Sequence, residues 1–167
     1  MPSHGHEDCG SFELHFRGLP IIIDPGRGRY GNDSLSQKDV TCGAHNCLLI
    51  DGQGAFPVNR PYYSSEFRRI AGGKAPKLYS WSEGVEIDIG GYADQKSIEK
   101  VERRWLFSTQ SMELRDRIVG RGRVALHRVI NTPFPATLVG EDAVELDAAD
   151  FKVILTARHT TIEIKDS

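Results

Sequence analysis

The sequence predicts an all-β fold, an antiparallel β-sandwich, and three observations carry that prediction. Apolar and polar residues alternate with period two in several short runs, the pattern of strands with one buried face. Turns bearing glycine and proline separate those runs at near-regular spacing, as in domains built from two packed sheets. No sustained 3.6-residue repeat runs through the chain, and the stretch near Lys96 to Arg104 is the one ambiguous case.

The elements follow in order. Phe12, Leu14 and Phe16 alternate with Glu13, His15 and Arg17, which predicts a half-buried strand. Arg17-Gly18-Leu19-Pro20 reads as a turn, and Ile21-Ile22-Ile23 as a β-branched strand in a sheet interior. Asp24-Pro25-Gly26 stops that strand, because proline donates nothing to a ladder and glycine accepts positive φ. Residues 27–41 are polar and read as a loop; Asn46 to Ile50 reads as a strand ending at the turn pair Asp51-Gly52. The prolines and glycines of residues 54–77 predict an extended, exposed insertion. Strands are then expected at Gly84–Ile89, Ile98–Phe107 and Met112–Val119, the last paired with Arg123–Ile130 across Gly120-Arg121-Gly122. Val144–Leu146, Phe151–Leu155 and Thr160–Ile164 complete the set.

At 167 residues the chain suits one domain, residues 1–167, with a sizeable core. Its 39% hydrophobic and 26% charged residues point to folded structure rather than disorder. A net charge of −2 lacks the basic excess that a phosphate-tracking surface needs, so nucleic acid is not an expected partner. No apolar run approaches the roughly 18–20 residues of a bilayer span, and no membrane partner is expected. No secretory leader is visible before His4, so the chain reads as cytoplasmic or as a piece of a longer protein. Cys9, Cys42 and Cys47 are an odd, sparse set, which favours free thiols and leaves a Cys42–Cys47 bridge open.

The densest polar cluster is His4-Gly5-His6-Glu7-Asp8. In an extended segment two histidines one residue apart point to opposite sides, so one can face an ion while the other faces a different space. Asp24 closes one strand and His45 opens the next, and strand ends on neighbouring strands can converge. Two imidazoles and a carboxylate with an open position suit zinc, although such widely spaced sets also arise by chance and a structural histidine is the plainer alternative. Arg27 and Arg29, beside Tyr30, suit the sulfates or carboxylates of an acidic sugar or a merely solvated loop. Tyr62 and Tyr63 read as loop aromatics, Arg103 and Arg104 as strand-surface or ion-paired residues, and His127 and His159 as structural. Asp8 reads as a brace for the histidine segment.

Three ordered blocks carry a family resemblance: His4-Gly5-His6-Glu7-Asp8-Cys9-Gly10-Ser11-Phe12; Leu19-Pro20-Ile21-Ile22-Ile23-Asp24-Pro25-Gly26 with Tyr30-Gly31; and Ala44-His45-Asn46 followed by an apolar strand and Asp51-Gly52. Glu102-Arg103-Arg104 and Leu114-Arg115-Asp116-Arg117-Ile118 form a weaker fourth. Over nearly its whole length the chain resembles the heparinase II/III-like domain, the β-sandwich half of bacterial polysaccharide lyases whose other half is an α/α toroid. The resemblance implies that His6, Asp24 and His45 hold a zinc ion of mainly structural role, and that His4 faces the substrate cleft and takes part in catalysis. It implies β-elimination on uronate glycans such as heparin, heparan sulfate or alginate, in the periplasm or cell envelope. In that family a tyrosine of the toroid usually transfers the proton. No tyrosine of this chain matches it, so a helical toroid partner in cis or in trans is expected, and the isolated chain is expected to be catalytically weak or inactive. Two competing functions are a non-catalytic, metal-stabilised β-sandwich that binds acidic glycans and a cupin-like metalloenzyme.

Overall fold

A computed structural model describes residues 6–28, 30–31, 33–57, 64–71, 75–94, 98–148, 150–158 and 162–165. Over these residues every strand pair is antiparallel, as the all-β expectation requires. The chain divides into two compact units, one drawn from Met1–Phe12 and Asp24–Ile130, the other from Glu13–Ile23 and Asn131–Ser167.

The first unit carries the candidate site. Its larger sheet has the order β4 (Lys77–Trp81), β5 (Gly84–Asp88), β6 (Ile98–Phe107), β7 (Met112–Gly120). A second, two-stranded sheet pairs β3 (Leu48–Ile50) with β8 (Leu126–Arg128). Period-two alternation puts Val101, Arg103 and Trp105 of β6 on the buried face. Leu48 and Ile50 share one apolar cluster with Ile89, Tyr92, Ile98 and Val101, so the small sheet covers the large one as a second layer. The Tyr92 hydroxyl donates to the Leu48 carbonyl, which ties the layers with a buried polar contact.

The Asp51-Gly52 turn forms as its residue types predict. Both residues have positive φ, 51° and 76°, and Ile50 and Gln53 exchange backbone hydrogen bonds across it. Two other expectations change. Met112–Val119 does not pair with the segment after Gly122; β7 pairs with β6, and β8 crosses to β3. The buried charges decide this register, because Asp116 lies directly opposite Arg103 and no other cation of β6 faces the interior. Within the loop expected at 27–41 a short helix, α1 (Ser34–Lys38), forms because the Asp33 carboxylate accepts from the amides of Leu35 and Ser36 at 3.1 and 2.9 Å. A second helix, α2 (Ser65–Ala71), interrupts the insertion expected to be extended, with the Ser64 hydroxyl accepting from the Phe67 amide.

In the second unit β1 (Leu14–Phe16) and β2 (Leu19–Ile22) form a hairpin whose turn is only Arg17-Gly18. The three-stranded sheet has the order β11 (Lys152–Thr156), β10 (Ala143–Asp147), β9 (Ala136–Leu138). Ile21 and Ile22 of β2, Val144 and Leu146 of β10, and Ala148 just after it are buried, and Phe16 meets Phe151 edge-on at 5.2 Å. Of the strand expected over Thr160–Ile164, residues 160 and 161 lie outside the described residues, and 162–165 take no strand. No helix among the described residues is long and apolar enough to cross a membrane.

Candidate metal and catalytic site

Asp24 follows directly on the β2 strand and is the hub. Its Oδ1 accepts from the Gly26 amide at 2.9 Å and faces His45 Nδ1 at 2.7 Å; its Oδ2 accepts from the Ser11 hydroxyl. Burial alone would raise the Asp24 pKa, but the Ser11 hydroxyl, the Gly26 amide and the His45 ring outweigh it and hold the carboxyl below its ordinary range. Asp24 is therefore ionised, and His45 Nδ1 carries the proton it donates.

His45 comes from the cap of a single 3-10 turn, Cys42–Ala44, ahead of β3, and it is fully buried. Its Nε2 is also buried and has no hydrogen-bond partner among the described residues. A buried imidazole nitrogen left without a partner costs free energy, on the order of 1–3 kcal/mol. The His6 ring stacks on the His45 ring at 5.1 Å between centroids. Burial, then the electrostatic influence of the neighbouring His45 ring, hold the His6 pKa below 6.5 against the opposing pull of Asp8 and Asp24, so His6 is neutral at neutral pH. Neutral imidazole is the form that ligates a metal. Asp8 braces His6 only at a distance, with Nδ1 and Oδ2 3.9 Å apart.

The donor chemistry, two imidazoles and an ionised carboxylate, is of the kind that suits a zinc ion. The fit has a specific feature. Two ligands at about 2.05 Å on a tetrahedral ion lie about 3.3 Å apart, whereas His45 Nδ1 and Asp24 Oδ1 are 2.7 Å apart and hydrogen-bonded. The nitrogen left for an ion is thus the unpartnered Nε2, with Asp24 orienting the ring from behind, the usual arrangement of a carboxylate behind a metal-bound histidine. Among the described residues no three His, Cys, Asp or Glu side chains are grouped so that they could hold a metal ion.

The remaining predicted residues divide. His4 and Arg29 lie outside the described residues. Arg27 and Tyr30 are brought together, the guanidinium 4.4 Å from the ring centroid, and Tyr30 is 67% exposed. Arg27 also acts electrostatically on His6, lowering its pKa. Tyr62, Tyr63 and His159 lie outside the described residues. All three cysteines are free, with Cys42 and Cys47 buried.

Two contributors to the site were not legible in the sequence. Ser11 donates to Asp24 and accepts from the Asn46 amide at 3.2 Å, which joins the first motif to the third. Glu7 tucks its carboxylate against Gly54 and accepts from the Cys42 amide at 3.2 Å, while its own amide donates to the Val40 carbonyl at 2.8 Å. A Ser in the first block and an acidic neighbour of His6 were visible, but nothing in their spacing named these partners. Compared with known protein families, the chain matches the family model described as Heparinase II/III-like, C-terminal, over residues 1–166. Comparison with curated proteins finds no match.

Proposed function

The chain belongs to the heparinase II/III-like C-terminal family, a β-sandwich family related to polysaccharide lyases, and on that premise we propose that it supplies part of the active site of a lyase acting on uronate glycans of the heparin, heparan sulfate or alginate type. In β-elimination the C5 proton leaves, the C4–O bond breaks, a C4–C5 double bond forms, and the leaving oxygen takes a proton. The C5 proton is weakly acidic, so the adjacent carboxylate must be neutralised as the enolate develops. His4 acts there as base or as charge-stabilising donor, since imidazole titrates near neutrality. Arg27, Arg29 and Tyr30 engage the acidic sugar. A helical toroid, in cis or in trans, supplies the second proton-transfer group, and the protein works in the periplasm or cell envelope.

His6 and His45 hold a zinc ion with Asp24 beside them, and the ion's contribution is to fix the loop ends that carry the histidines. The observation that supports this reading best is the His45 ring, with Nδ1 on an ionised Asp24 and a buried Nε2 without a partner among the described residues.

The lyase reading is tested with the chain joined to its helical partner, following the ultraviolet absorbance of unsaturated product. His4→Ala should lower the rate by about 10²–10⁴-fold; an unchanged rate removes His4 from the chemistry, and no unsaturated product from any uronate polymer refutes the lyase assignment. The metal reading is tested separately. Zinc should co-purify at one per chain, and a chelator should lower the melting temperature by mass action. A metal-free chain whose melting is indifferent to chelator would leave His6, Asp24 and His45 without that role.

A further inference from the structure

Arg103 was expected at a strand surface or in an ion pair, and it is fully buried in the middle of β6. Its guanidinium makes four hydrogen bonds in two directions. Nε and Nη2 reach the two carboxylate oxygens of Asp116 at 2.7 and 3.1 Å. Nη1 reaches the main-chain carbonyls of Gly10 at 2.9 Å and Asn46 at 2.8 Å, residues 93 and 57 positions away in the sequence. Asp116 is in turn held by Arg128 at 2.8 Å, so the carboxylate is fixed from a second strand.

Those two carbonyls are not arbitrary points. Gly10 precedes Ser11, whose hydroxyl donates to Asp24 and accepts from the Asn46 amide. Asn46 follows His45, and its side-chain amide donates to the Phe12 carbonyl at 2.8 Å. The segments 10–12 and 45–46 are therefore laced to each other and clamped from below by one cation. Gly10 itself has φ of 82°, and a Cβ there would approach the Ile89 side chain at 3.2 Å and the Arg103 side chain at 3.5 Å, so the chain comes down close onto the clamp.

We propose that Arg103 is the positioning residue of this site: from the floor of the sheet it holds the Gly10 and Asn46 carbonyls so that Ser11 and His45 converge on Asp24. The proposal rests on His6, Asp24 and His45 forming the functional site, and it concerns their arrangement rather than the ion. A planar fork with five N–H groups can span a carboxylate and two carbonyls at once, whereas an ammonium offers three donors from a single atom and cannot cover both sides. Arg103→Lys therefore keeps the buried charge and loses the span.

The test uses the whole chain and two readouts. In chelator-treated protein, the His45 Nδ1–H proton should be visible by NMR and protected from exchange by its bond to Asp24. Arg103→Lys should lose that protected signal. Val101→Ala, on the same buried face but without polar links to either segment, should keep it at a comparable denaturant midpoint. With zinc added, Arg103→Lys should bind about 10–100-fold more weakly than wild type, the usual effect of losing a residue that orients ligands, and Val101→Ala should bind as wild type does. A protected His45 signal and unchanged zinc affinity in Arg103→Lys would overturn the proposal, as would an equal loss in Val101→Ala. If wild type binds no zinc, the metal reading fails while the NMR comparison still decides the role of Arg103. Should Arg103→Lys not fold, Asp116→Asn, which keeps size and one acceptor, is read the same way; failure of both to fold shows a purely structural residue and overturns the proposal.

Discussion

Substituting Glu7 by Gln tests the electrostatics around the histidines without touching a candidate ligand. Burial pushes the Glu7 carboxyl from its ordinary 4.5 to about 7, against the Cys42 amide and the electrostatic influence of His45, both of which favour the ionised form. The folded protein thus keeps this proton up to about pH 7, while the unfolded chain releases it near 4.5. Between those values the folded state binds more protons, so this group makes stability fall as pH rises, and the loss is complete above pH 7. At about 1.4 kcal/mol per pH unit the shift corresponds to about 3 kcal/mol, and solvent screening of a partly exposed carboxyl reduces this to about 1–2 kcal/mol. His6 acts with the opposite sign in an overlapping window. Its pKa lies below 6.5 in the folded state, so its contribution grows as pH rises toward 6.5. The two trends offset each other in wild type, and only the difference between variant and wild type isolates Glu7. Gln keeps the volume and the acceptor for the Cys42 amide. Urea denaturation in chelator should find Glu7→Gln close to wild type at pH 5 and about 1–2 kcal/mol more stable at pH 8. The same stability difference at both pH values would refute the argument that burial of the carboxyl controls this corner of the site.

Two further predictions are independent of the site's chemistry. A Cβ at Gly84 would sit 2.7 Å from the Trp105 carbonyl and 2.5 Å from the Trp81 indole; Gly84→Ala should therefore cost about 1–3 kcal/mol in a denaturant titration and shift the tryptophan emission, and an unshifted spectrum with unchanged stability would contradict the packing of Trp81 across β5. The three cysteines are free, Cys42 and Cys47 are buried, burial pushes the Cys9 thiol up to about 12, and a hydrogen bond with the Cys42 thiol, then burial, push Cys47 higher still. Iodoacetamide at pH 8 should leave all three unmodified in the folded chain and label three after denaturation; a single label after denaturation would reveal a disulfide that consumes the other two.

Strands were legible where one face is buried and the other is wet. Ile98–Phe107 shows this, since β6 alternates buried Val101, Arg103 and Trp105 with more exposed neighbours. β4 was not anticipated because every residue of Lys77–Trp81 is exposed, so no burial pattern is written into it. It is a strand by pairing with β5, a fact of tertiary structure rather than local preference. The hairpin across Gly120-Arg121-Gly122 failed for a related reason. The glycines permit a turn, but the partner of β7 is chosen by Asp116, whose buried charge must face Arg103. α1 was the avoidable miss, because Asp33 three residues before Ser36 is an N-cap signal in its own right.

The site shows the same division more sharply. His6, Asp24 and His45 could be picked out because each sits in one of three ordered motifs that resemble the family's, and two of them are joined at 2.7 Å. What brings them together is almost silent in sequence. Arg103 grips the carbonyls of Gly10 and Asn46, and every residue type has a carbonyl, so neither acceptor leaves a mark on the amino acid that bears it. A buried arginine also looks like any other charged residue in a strand until its partner is known. The informative signal was the pair taken together, an arginine and an aspartate on the inward-facing positions of two adjacent strands, where a charge is expensive unless it is matched. An unmatched charge at either position would be unstable, so a matched pair there implies a demand for directed hydrogen bonds inside the domain. In this protein that demand is met at the two loop ends that carry Ser11 and His45 to Asp24.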